Sequence, residues 1–161
     1  MLIRHKLAVR LYGIIWLAVG FMLMFKGIPL IVKAALQEKL PLIAFFQPLV
    51  GSAEQAALVV VVLGLLVGFI KGKTVLAKAA RRSIERLKLF SNPLPVSRLF
   101  SFRYLVLLAI MMSLGMALKL FPLPQDLHGM IDLAVGSGLI NGALVYFRES
   151  LLMVRGTPTN L

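Results

Sequence analysis

Four apolar runs, at residues 8–25, 53–70, 104–118 and 131–147, limit what this chain of 161 residues can become. Each approaches the ~20 apolar residues that carry a helix across a ~30 Å hydrocarbon core. Inside such a core every backbone N–H and C=O must be bonded within its own segment, so the runs are expected as helices. The expected fold is all-α: a polytopic membrane protein with four transmembrane helices, forming a single domain over residues 1–161. With 60% hydrophobic residues, 15% charged residues and a mean hydropathy of +0.93, the chain carries more apolar surface than one soluble core of this size can hide.

Charge orients the four runs. Counting the segments between them alternately, one side takes the N-terminus, residues 71–103 and the C-terminus. That side holds 14 of the 18 basic residues and 2 of the 6 acidic ones, and so the whole net charge of +12. The other side holds Lys26, Lys33, Lys39 and Lys119 against Glu38, Glu54, Asp126 and Asp132, and is neutral. Cytoplasmic flanks accumulate Lys and Arg. Both termini and the central segment are therefore expected in the cytoplasm, and the short loops and compact length suit the cytoplasmic (inner) membrane of a bacterium. Arg4, Lys6 and Arg10 ahead of the first run imitate a signal peptide, but no small-x-small cleavage site precedes Lys26, so an uncleaved span is expected.

Several function classes recede on composition. A charge of +12 in a soluble chain raises nucleic acid as a partner, but no recognisable binding motif accompanies it; attraction to anionic headgroups accounts for it better. Without cysteine there is no disulfide, thiolate nucleophile or Cys-ligated metal. His5 and His128 fall on opposite sides of the membrane, and no G-x-S-x-G, H-E-x-x-H or P-loop occurs. No catalytic residue, metal or cofactor is expected.

The runs read as two related hairpins. The first and third each end with a Lys three residues before a Pro, at Lys26–Pro29 and Lys119–Pro122, and the second and fourth each carry paired glycines. Between the first two runs, residues 27–52 are apolar but interrupted by Pro29, Pro41 and Pro48, which predicts a short interfacial helix and a re-entrant or surface strip capping the outer end. After the second run the chain is expected to continue as a basic amphipathic helix. Leu76, Ala80, Ile84 and Leu87 form its apolar stripe, while Lys73, Lys78, Arg81, Arg82, Arg86 and Lys88 are the candidate lipid- or partner-binding residues. Such a helix is either a lipid-facing anchor or a docking surface for an acidic partner.

Polar residues at membrane depth are functional candidates by default. Here they are Lys26, Glu54, Lys119, Asp132, Ser137 and Asn141. Lys26–Glu54 and Lys119–Asp132 are expected as ion pairs within their hairpins; the alternative makes Ser137 and Asn141, with Asp132, a path for an ion or small solute. Gly64, Gly68, Gly138 and Gly142 are expected to mediate close helix packing, within one chain or between copies, because small residues every fourth position let backbones approach. Gly13 lies outside both of these stripes. The first functional reading is a non-catalytic protein acting through helix assembly, anionic lipid and a homo-oligomer or partner membrane protein. A small homo-oligomeric transporter or channel is the alternative.

Overall fold

A computed structural model describes residues 2–3, 5–37, 40–88, 94–95 and 123–155, with side chains over 6–37, 40–85 and 123–153. The third run, Lys119, the hairpin duplication that depends on them, and the side chains of Arg86, Leu87 and Lys88 lie outside the described residues. The elements in order are β1 (Leu2–Ile3), α1 (His5–Gln37), α2 (Pro41–Val50), α3 (Ala53–Lys71), a π-helical turn (Gly72–Leu76), α4 (Ala77–Lys88), β2 (Leu94–Pro95) and α5 (Gln125–Arg155). Apart from the antiparallel two-residue ladder, in which Leu2 faces Pro95 and Ile3 faces Leu94, the described elements are all helical. Among the described residues, three helices are long and apolar enough to cross a membrane: Lys6–Gln37, Ala53–Glu85 and Gln125–Met153.

The first helix overturns one expectation. Residues 27–37 do not leave the bundle as a surface strip; α1 runs on through Pro29 for 33 residues, about 50 Å. A proline inside a helix forfeits a hydrogen bond and costs ~3 kcal/mol. Beyond Pro29, burial of Ile31, Ala34 and Ala35 against Ile43, Ala53, Ala56, Ala57, Val60 and Leu133 offsets that cost. Only residues 41–50 form the separate short helix. Pro41 starts it, where the missing N–H is no loss. Gly51, at φ 92°, ends it in the left-handed region, and Ser52 then caps α3 by accepting from the Gln55 N–H at 3.2 Å.

α5 lies between α1 and α3. Against α1 it runs antiparallel: Gly13 lies beside Tyr146 and Phe147, Gly20 beside Gly136, and Gly27 beside Gly129. Small residues recur every seventh position along this seam: Gly13, Gly20 and Gly27 on α1 and Gly129, Gly136 and Ala143 on α5, a spacing that continues to Ala34 and Ser150; all eight are buried. A seven-residue repeat keeps one stripe facing its partner when two helices coil gently around each other. The backbones come close enough that a Cβ at Gly136 would lie 2.7 Å from the Gly20 carbonyl oxygen, and one at Gly27 2.8 Å from that of Gly129. Against α3, α5 runs parallel: Gly64 meets Met130 and Leu133, Gly68 meets Ala134 and Ser137, and Gly72 meets Gly138 and Asn141.

The π turn keeps a long stripe aimed at α5. Gly64, Gly68, Gly72, Leu76, Ala80 and Ile84 are spaced by four, and all but the half-buried Leu76 are buried. On an ideal helix that spacing drifts about 40° per step, which would carry the far end of the stripe off its partner. The extra residue of a π turn takes back roughly 100°. The Thr74 hydroxyl also donates to the Ile70 carbonyl at 2.9 Å, a bond that favours a bend at this place.

Candidate functional site

Three chain segments meet at one end of the bundle: the start of α1, α4 and the end of α5. Ala8, Val9, Tyr12 and Trp16 pack with Ala80, Ile84, Leu139, Ala143 and Tyr146 in one buried cluster. Trp16 stands edge-on to Tyr146 at 5.4 Å and Tyr12 stacks on it at 5.9 Å. Around this apolar plug stand exposed cations: Arg10 on α1, Lys71 on α3, Lys73 in the π turn, Lys78, Arg81 and Arg82 on α4, and Arg148 on α5. The exposed Glu85 is interspersed. Lys73 places its ammonium 4.4 Å from the Phe69 ring centroid, a cation–π contact one turn back along the helix.

On α4 the stripe residues Ala80 and Ile84 are buried within the protein against α1 and α5. What α4 offers outward is its basic side. A collar of cations on a packed scaffold can hold phosphate or carboxylate groups without ordering long flexible segments to do so.

The intramembrane polar residues separate into three groups. Lys26 and Glu54 are both exposed and form no ion pair, so the expected pairing is not made; continuation of α1 past Lys26 leaves that side chain on the outer flank of the helix. Asp132 is partly buried where α5 meets Gly27, and its carboxylate lies 3.8 Å from His128 Nε2. Ser137 and Asn141 face α3. The Ser137 hydroxyl can donate to the Leu65 carbonyl or to that of Ala134, each 3.3 Å away, and the Asn141 amide donates to the Ser137 carbonyl at 3.0 Å. Ser137 sits against Gly68 and Asn141 against Gly72, so both are engaged where α5 meets α3.

The glycines divide by partner. A Cβ on Gly68 would collide with the Ser137 Oγ and the Ala134 carbonyl, and one on Gly64 would lie 3.1 Å from the Met130 carbonyl oxygen. Gly138 lies under Leu76 and close to the Gly68 carbonyl, whereas Gly142 makes room for the Trp16 indole, 2.5 Å from where its Cβ would be. Gly13 is not outside the packing: its Cβ would come within 3.2 Å of Phe147 and Tyr146.

Sequence reasoning missed Asp126, treated only as a charge. It is fully buried in the first turn of α5, yet its carboxylate reaches α2, accepting the Leu42 N–H at 2.6 Å and the Ile43 N–H at 3.3 Å, besides that of Leu127 at 2.8 Å. These are donors that α2 cannot satisfy itself, since Leu40 brings no capping side chain. One aspartate thus sits at two helix N-termini, where both dipoles favour its charge. Among the described residues no group of three metal-ligating side chains occurs. The class these features define is an all-helical protein with three membrane-capable helices among its described residues and a basic end. Comparison with protein-family models, with curated proteins and with solved structures yields no match.

Proposed function

We propose that the chain is a four-span protein of the bacterial cytoplasmic membrane, with both termini in the cytoplasm, that acts without catalysis by binding anionic lipid headgroups at its basic end. The observation that carries this reading is the collar: cations from α1, α4 and α5, distant in sequence, gather at one end around a packed aromatic plug. Four spans are favoured by direction. Because α3 and α5 run parallel, α4 finishes at the opposite end of the bundle from where α5 starts, a separation that a further span would cross. The apolar run at residues 104–118 is suited to that return. Use of Ser137 and Asn141 in helix packing supports this reading over a transporter.

Two measurements test it. Reporter fusions after Leu161 and within α2 at Gln47 should report opposite compartments, Leu161 on the cytoplasmic side; a periplasmic signal at Leu161 overturns the topology. Replacing Lys78, Arg81, Arg82 and Arg86 by Gln should weaken attraction to an anionic leaflet by at most ~4 kcal/mol, at ~1 kcal/mol per cation. Native mass spectrometry should then show less acidic lipid retained on the variant. Equal retention rejects the lipid reading, and capture of an acidic partner protein alone would transfer the collar to that partner.

A further inference from the structure

The uncharged flanks of α1 and α3 sit at different heights on the same bundle. On α1 the exposed cations Arg10 and Lys26 bracket residues 11–25, a run of 15 without charge. On α3 the exposed Glu54 and Lys71 bracket residues 55–70, a run of 16 without charge. The runs measure about 22–24 Å along a helix, short of the ~30 Å typical hydrocarbon thickness.

Contacts with α5 show how the two runs are placed. Gly27 and Gly64 both meet Leu133. Gly64 is near the middle of the α3 run, whereas Gly27 lies just past Lys26, beyond the end of the α1 run. At the other end, Gly20 meets Gly136 and Ile140, and Gly72 meets Gly138 and Asn141. Gly20 is near the middle of the α1 run, whereas Gly72 already lies between Lys71 and Lys73. The centres of the two runs are therefore offset by about ten residues of α5, roughly 15 Å. The lysines do little to close the gap. Helical side chains lean toward the N-terminus, which turns Lys26 and Lys71 back toward their apolar runs, and the Lys73 ammonium is held over Phe69, one turn nearer the run.

The geometry points to a bilayer that meets the two flanks at different heights: the protein takes a thin hydrocarbon layer that slopes across it from the α1 side to the α3 side. An upright bundle in a flat layer of ordinary thickness would submerge either Lys26 and Lys33 or Lys71 and Lys73, each an exposed charge in hydrocarbon. Tilting and local thinning are the bilayer's ordinary responses to mismatch. The inference rests on the membrane reading above but not on lipid binding by the basic collar.

The absence of cysteine makes the test direct, since a nitroxide can be placed on one introduced cysteine at a time. Val19 on α1 and Thr74 in the π turn are exposed at nearly the same height along α5, and so are Ile28 on α1 and Val62 on α3. With Val19→Cys, Thr74→Cys, Ile28→Cys and Val62→Cys in reconstituted vesicles, bilayer depth is read from the ratio of oxygen to water-soluble nickel-complex accessibility. Val19 and Val62 are expected deep; Thr74 and Ile28 are expected shallow. Equal depth within each pair would overturn the slope while leaving the membrane reading intact. Four shallow labels would overturn both.

Discussion

Gly68→Ile is expected to destabilise the protein by about 3 kcal/mol, the upper end for overpacking, because the added Cβ meets a backbone carbonyl as well as Ser137. A flexible side chain can swing aside; the Ala134 carbonyl moves only if α5 moves. Gly142→Ile should act through a different neighbour. Its side chain would enter the space of the Trp16 ring, and Trp16 is 5% exposed and the chain's only tryptophan. A shift in intrinsic fluorescence should therefore accompany its loss of stability and be smaller for Gly68→Ile. Leu66→Ile, on an exposed site, is the control and should stay within about 0.5 kcal/mol. Gly13→Ile cannot serve, since Gly13 packs against Phe147. Thermal melting in detergent, with size-exclusion chromatography, checks the set. A Gly68→Ile variant as stable as Leu66→Ile would show that α3 and α5 do not approach in this way, and an equally stable Gly142→Ile would show that Trp16 does not pack on α5 there. The contacts described are within one chain, so no change in oligomer size is expected.

Asp126→Ala should cost about 2–4 kcal/mol, since the Leu42 and Ile43 N–H groups lose a charged acceptor and α2 has no capping side chain to replace it. The loss should be local first. Hydrogen exchange at Leu42 and Ile43 should quicken in Asp126→Ala before exchange along α3 or α5 changes, because α2 is held to α5 by this carboxylate. Asp126→Asn keeps an acceptor oxygen and should recover part of the protection. If Asp126→Ala exchanges at Leu42 as slowly as the unaltered chain, the carboxylate is not what holds α2.

Several of these features are present in the sequence at a period whose meaning a single helix does not reveal. Glycines four apart on α3 and α5 stand out against an apolar run; Gly64, Gly68 and Gly138 lie where α3 meets α5, whereas Gly142 faces Trp16 of α1. The seven-residue series Gly13, Gly20, Gly27, Ala34 is as plain in the residues, yet its meaning depends on a matching series, Gly129, Gly136, Ala143, Ser150, written in the opposite direction more than a hundred positions away. A seam belongs to two helices, and a single helix shows only half of it. Pro29 misled for a related reason. Its cost is local and visible, whereas the burial that offsets it comes from α2, α3 and α5.

The sequence by itself determined that residues within α1, α3 and α5 form long apolar helices, and that basic residues concentrate in α4 and near the ends of the chain. Those properties follow from free energies of transfer and charge that nearly add residue by residue, so they are legible without neighbours. Only the tertiary structure decided that α5 lies between an antiparallel α1 and a parallel α3, and that a π turn keeps α4 facing α5. It also decided that Asp126 caps a helix more than eighty residues away, and that the uncharged runs of α1 and α3 are offset. These depend on which backbones touch and at what register, and registers are set by close packing between distant segments, which no local transfer energy contains.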